Sequence, residues 1–249
     1  MNKKLLTVGV IFAVISIVCA SAALYIYTDD GRVKGGPENE GVSSIVTDQD
    51  EPYKSPVDFD SLLEKSQDVC AWLSIPQTDI SYPVAQSKTN DTFYLKRALD
   101  GSYSINGTLF TEHLYNSTDF EDPVTAIYGH DMKSGAMFGL LQEQYSDKET
   151  FEAHREIIVY CPDKELHYEV FAAVPYSKRH ILHYYDSFKE KETVDEFLDE
   201  LYNVRAFGAN FASDTEVSSD DRLLILSTCL KGDISRRYLV VARLKAELK

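Results

Sequence analysis

The sequence predicts a mainly β domain with helices, a barrel or sandwich of about eight strands, and three observations lead there. Short apolar runs rich in Val, Ile, Leu and Tyr recur from residue 71 to residue 244, each bounded by Gly, Pro, Asn or Asp. Helical periodicity is confined to a few short stretches between those runs, so strands and helices do not alternate as they would around a parallel sheet. About 195 residues follow the N-terminal segments, enough for one domain with its own core.

From the N-terminus, residues 1–4 hold Lys3 and Lys4, and residues 5–27 carry no charged side chain. At ~1.5 Å per residue a helix of that length spans ~34 Å, enough for a hydrocarbon core of ~30 Å. With the lysines retained in the cytoplasm, the chain reads as a single-pass cell-membrane protein whose remaining residues are extracellular. A cleavable signal peptide, hinted at by Ala20-Ser21-Ala22, is the competing reading, but the apolar run continues to Tyr27. Residues 28–54 are rich in Gly, Ser, Asp and Glu without an apolar period, the composition of a flexible stalk, and residues 55–249 form the folded domain.

Within that domain, Pro56 precedes an i, i+3, i+4 set (Phe59, Leu62, Leu63) that predicts a short helix. Strand-like runs follow at 71–75, 80–84, 108–110 and 124–128. Ser134 is placed to cap a short helix carrying Met137, Phe138 and Leu141. The runs at 157–161 and 166–174 flank Pro162-Asp163-Lys164-Glu165, a hairpin signal. Thr193 and Glu196 form a capping box ahead of Phe197, Leu198, Leu201 and Tyr202 on one helical face. Two strongly apolar strands, 223–228 and 238–244, close the chain.

Composition narrows the function. Forty Asp and Glu against 25 Lys and Arg give a net charge of −15, which excludes a nucleic-acid binder. All 40 acidic residues lie beyond position 27, where they serve solubility. The four cysteines, Cys19, Cys70, Cys161 and Cys229, form no C-x-x-C pair, so neither a disulfide scaffold nor a thiolate zinc site is expected, and no cofactor. Asn90, Asn106 and Asn116 match the short glycosylation pattern by chance, and no modification is expected.

One constellation carries chemistry. Cys229 stands where the run Leu223-Leu-Ile-Leu-Ser-Thr-Cys229 gives way to Lys231-Gly232-Asp233, at a mouth rather than mid-core. If the closing strands pair antiparallel, Arg237 comes to the same end, and a thiol beside a guanidinium favours the reactive thiolate. Alternation sends Arg236 and Arg237 to opposite faces, so only one of them can reach the site; Arg237 is the one that directly abuts the apolar strand. A cysteine nucleophile also needs a proton-transfer group. Of six histidines, His130 follows a strand directly in Tyr128-Gly129-His130. His180 and His183 are spaced for a metal but have no third ligand, while His113, His154 and His167 read as surface or structural.

These residues resemble the sortases. The likeness runs through Ala71-Trp72 to Gln86, Phe93-Tyr94-Leu95, Gly107-Thr-Leu-Phe110, His130 to Phe138, and Thr228-Cys229 with Arg237 before Tyr238-Leu-Val-Val241; in order, they are similar to the class B branch. The resemblance implies an eight-stranded β-barrel with an N-terminal helix and a further helix in the connection before the cysteine strand, a place the 193–202 helix fits. It implies a cysteine transpeptidase that cleaves a Pro-x-Thr type sorting signal after Thr through a thioacyl-enzyme. The protein partners would be secreted proteins bearing a C-terminal sorting signal, joined to a peptidoglycan amine, with the membrane held through the N-terminal helix. Cys229 would be the nucleophile, His130 the acid and base, and Arg237, which abuts the apolar strand as the family arginine does, the oxyanion and substrate clamp. Ser227, Thr228, Tyr128 and Leu95 would line the groove, with core packing as the alternative for Tyr128 and Leu95. The chain departs from the family at Asn90-Asp91, where members tend to read Asp-Asn, and at Glu112-His113, in place of Asp-Tyr. A hydrolysis-only cysteine peptidase and an inactive sorting-signal-binding module are the alternatives.

Overall fold

The computed structural model describes residues 53–249. Helix α1 (Phe59–Lys65) opens the fold, with the Asp58 side chain accepting from Ser61 N at 3.1 Å, and buries Phe59 and Leu62. Strands β1 (Val69–Ser74) and β2 (Ser81–Ala85) form an antiparallel pair with a bulge at Cys70. The 3-10 turn Phe93–Lys96, the short β3 (Leu109–Phe110) and β4 (Val124–Tyr128) follow, then α2 (Leu141–Ser146) and α3 (Lys148–Ala153). Strands β5 (Glu156–Tyr160) and β6 (Glu165–Ser177) make the expected hairpin, its turn closed by Cys161 N donating to Lys164 O at 2.8 Å. The long connection after β6 holds α4 (Ile181–Tyr184), a turn at Asp186–Phe188 and α5 (Lys191–Tyr202) before the two-residue β7 (Asn210–Phe211). Strands β8 (Leu223–Leu230) and β9 (Asp233–Leu248) finish the chain.

Eight strands close into a barrel in the order β5-β1-β2-β3-β4-β8-β9-β6, with β6 returning to β5 and β7 added along β6. Closure leaves no long free edge. Two pairings are parallel, β2 with β3 and β4 with β8, and the second sets the site. A large core fills the barrel, and a smaller one beneath α1 gathers Trp72, Tyr94, Leu99, Phe110 and Ile158. Trp72 is buried without penalty because its indole N–H donates to Ser81 Oγ at 2.9 Å.

Three expectations change. The capping box does not cap: α5 begins two residues earlier, after the extended Glu190, and Thr193 Oγ1 turns back to donate to Glu190 O at 2.7 Å. The helix expected from Ser134 is irregular backbone, because Met137 sits at φ 55° in a bridge to Asp131, and helix starts only at Leu141. The single-pass membrane expectation is also corrected. Among the described residues no helix is long and apolar enough to cross a membrane. The longest, α5, has 12 residues and spans ~18 Å against a ~30 Å hydrocarbon core. Its apolar side (Val194, Phe197, Leu198, Leu201) is buried in the domain core. The 5–27 and 28–52 segments lie outside the described residues.

Candidate active site

Strand register assembles the site. Across the β8–β9 pair Cys229 faces Arg237, and Arg237 Nη1 lies 3.7 Å from Cys229 Sγ. Ser227 pairs with Leu239 and shares the face of Cys229, whereas Thr228 pairs with Tyr238 and lies on the opposite face. Both are buried, and Thr228 Oγ1 has no hydrogen-bond partner. The other polar atoms near Arg237 Nη1 are the carbonyls of Ile234 (3.4 Å) and Arg236 (3.3 Å). Arg155, Arg179, Arg222 and Arg243 each hold a carboxylate; among the described residues Arg237 holds none. In so acidic a chain, a half-buried arginine kept free beside a half-buried thiol leaves one positive charge available to a ligand.

The histidine arrives on the neighbouring strand. Parallel pairing sets Tyr128 level with Ser227, and Gly129 N donates to Ser227 O at 3.2 Å. Strand β4 ends at Tyr128, and His130 follows it by two residues. Gly129 is required where it stands, since a Cβ there would come within 2.5 Å of Leu109 Cδ2 and 2.6 Å of Phe138 Cδ2. His130 is half-exposed; its Nε2 lies 2.6 Å from Leu95 O, and its own carbonyl accepts from Phe138 N at 3.0 Å. The turn between β8 and β9 is fastened to α2, with Lys231 N donating to Gln142 Oε1 at 2.9 Å and Lys231 Nζ paired with Glu143.

Register thus brings Cys229, Arg237, Ser227 and Tyr128 to one face at one end of the barrel, and His130 follows Tyr128 by two residues. Leu95 joins them through its backbone carbonyl, with its side chain 38% exposed at the rim. Tyr128 stacks on Phe110 at 5.5 Å, and burial pushes its phenol well above the ordinary range, with Glu112 adding to the rise. Sequence reasoning singled out Glu112 and His180 separately but missed their pairing. Glu112 is buried and pairs with His180 Nε2 at 2.9 Å, raising the imidazole above its usual range, and His180 packs on Tyr115 and Tyr128. The neighbouring departure is also paired, since His113 N donates to Asp91 Oδ1 at 2.7 Å and its ring meets the same carboxylate. His180 thus pairs with a carboxylate, and its Nδ1 accepts from His183 N at 3.1 Å. Cys70 and Cys161 are buried free thiols pushed up to about 12 by burial.

A closed barrel with a thiol and a guanidinium side by side at one end, and an imidazole two residues past the neighbouring strand, offers the groups that cysteine-dependent acyl transfer uses. The sortase domain family matches residues 73–245, and the chain belongs to that family, in its class B branch of cysteine transpeptidases. It is 34% identical over 168 residues to sortase B of Listeria monocytogenes, a match covering 68% of this chain and 65% of that one. Sortase B of Staphylococcus aureus is 25% identical over 247 residues, covering 98% of each chain. The solved Staphylococcus aureus sortase B-substrate complex superposes with a TM-score of 0.64 at 27% identity, covering 75% of this chain and 84% of that one.

Proposed function

We propose that Cys229, His130 and Arg237 carry a transpeptidation in which a Pro-x-Thr type sorting signal is cut after Thr and its carbonyl is passed to a peptidoglycan amine. The reading is supported above all by the free guanidinium of Arg237 held 3.7 Å from the Cys229 sulfur. The Cys229 thiolate attacks the threonyl carbonyl, and the electron pair displaced onto oxygen is met by Arg237. Such a donor contributes about 3–4 kcal/mol in other acyl-transfer enzymes. Collapse of the tetrahedral intermediate breaks the peptide bond. The leaving amine takes a proton from the His130 imidazolium, and a thioester to Cys229 remains. An incoming amine then gives its proton to His130 as it attacks the thioester, and the thiolate leaves. Ser227, on the cysteine's face, and Leu95, at the rim, flank the path a substrate would take. The substrate complex of the Staphylococcus aureus relative makes a sorting signal the first ligand to try.

The test mixes the protein, or its Cys229→Ala variant, with a panel of Asn-Pro-x-Thr and related peptides and short glycine peptides, and reads the products by mass spectrometry. Peptide cut after Thr and joined to the amine, only with Cys229 present, is the expected result. Cleavage to the free acid alone, with every amine refused, makes the protein a hydrolase. Binding without cleavage by either protein would mean that it only recognises the signal.

A further inference from the structure

The 3-10 turn Phe93–Lys96 offers a run of backbone carbonyls to the segment 104–108 beside it. Tyr94 O accepts from Thr108 N at 3.0 Å, Lys96 O from Ser104 N at 3.1 Å, and Arg97 O from Thr108 Oγ1 at 2.9 Å. The carbonyl between them, Leu95 O, accepts instead from His130 Nε2 at 2.6 Å. A carbonyl oxygen can only accept, so this contact puts a proton on Nε2 and leaves Nδ1 as the nitrogen that gains and loses one. Gly107 makes the arrangement possible. It sits at φ +65°, and a Cβ there would lie 2.7 Å from Tyr94 O and 2.8 Å from Leu95 O, closer than packed carbons and oxygens come.

We infer that the Leu95 main-chain carbonyl is the orienting group of His130, holding the imidazole by Nε2–H and presenting Nδ1 to the reacting atoms, and that Gly107 is the positioning residue that lets this carbonyl reach the ring. The roles assigned to Cys229 and His130 in the proposed function underlie this inference. In nucleophile–base pairs a third group commonly fixes the base. Among the described residues no carboxylate makes an ion pair with His130, so the backbone takes that place. A neutral acceptor orients the ring without adding a negative charge beside the thiolate.

The test has a spectroscopic arm and a mutational arm. In the 15N-histidine-labelled protein, neutral His130 is expected in the Nε2–H form, with a downfield ring proton coupled to that nitrogen. Gly107→Ala should lose the downfield proton and mix the tautomers, lowering kcat roughly tenfold with little change in KM, a fraction of the usual worth of a general acid–base group. Gly101→Ala is the matched control: Gly101 has φ +80°, so alanine meets the same backbone strain, but its Cβ would touch only Phe93 Cζ at 3.9 Å. It should keep the Nε2–H signal and the wild-type kcat. A neutral His130 protonated on Nδ1 in the unmodified protein overturns the inference even if the enzyme transfers peptides. A Gly107→Ala protein with an unchanged ring spectrum and a full loss of kcat overturns it as well. If the Nε2–H form is found but no peptide is cut, the positioning stands and the proposed reaction fails.

Discussion

The two ends of the barrel handle charge in opposite ways. Strand β8 runs between them, from Arg222 just before its first residue to Cys229 near its last. At the Arg222 end positive groups are matched to carboxylates: Lys164, buried to 4% exposure, and Arg222 both pair with Glu121 and Glu247, and Arg243 pairs with Glu169 at 3.1 Å. At the Cys229 end Arg237 faces a sulfur and two carbonyls at 3.3 Å or more. Arg97 and Arg205 also donate to backbone carbonyls rather than to a carboxylate, so what distinguishes Arg237 is its place against the Cys229 sulfur. One end uses its charges to close the barrel, and the other holds a charge for a group that arrives from outside. Substitution should therefore separate stability from activity along a single strand.

The largest expected effect is at the open end. Arg237→Ala should cut kcat/KM by about 10²–10³, the range seen when one oxyanion donor is removed, with the thermal midpoint almost unmoved because no ion pair is lost. Arg237→Lys should recover little, since an ammonium lacks the planar fork. A similar fall in melting temperature for both would erase the contrast. At the closed end, Arg222→Met should lower stability by about 2 kcal/mol, read by urea denaturation, by leaving Glu121 and Glu247 to Lys164 and Lys249. Below the transition, kcat should stay at its wild-type value. Between these lies Glu112→Gln, which keeps the shape of the buried side chain while removing its charge from His180 and Tyr128. The His180 imidazole, now raised above its ordinary range, should titrate lower in the variant, as NMR would follow.

Much of this was legible in the chain. Strand 124–128 has the same limits in the fold, and the 162–165 turn joins the two strands it was expected to join. Alternation along 236–237 allows only one arginine to reach the site, and the place of Arg237 against the apolar strand, as in the family the chain resembles, singles out the residue that pairs with Cys229 in the fold. What failed to read depended on contacts between distant segments. Thr193 carries a good cap sequence, yet α5 starts at Lys191, upstream of the box. Met137 and Phe138 suit a helix but are drawn into a bridge with Asp131 and onto His130 O. In the candidate site, His130 is singled out in the sequence by its glycine and its place after a strand. The parallel pairing that sets Tyr128 level with Ser227 has no local signature, because β4 and β8 are almost 100 residues apart. Glu112 and His180, 68 residues apart, each look ordinary until the barrel closes and buries the carboxylate.

The smallest effect expected is the one that tests whether the closed end is closed by charge. His167 lies on β6 with Nδ1 3.1 Å from Glu156 and Nε2 2.7 Å from Glu165, and these two carboxylates hold the imidazolium up to about 9 from 6.5. A histidine whose folded value is raised stabilises the native state while it is charged. That contribution is complete below about 6.5 and disappears as pH climbs through about 9. The shift caps it at about 3 kcal/mol; with Glu156 half in water, about 1–2 kcal/mol is the expected loss. His167→Gln should therefore be less stable than the wild type at pH 6 and equal to it near pH 9.5, the two denaturation curves converging as the pH rises. Parallel curves across that window would show that His167 is held by packing alone. The contrast between the two ends would then rest on Lys164 and the arginines.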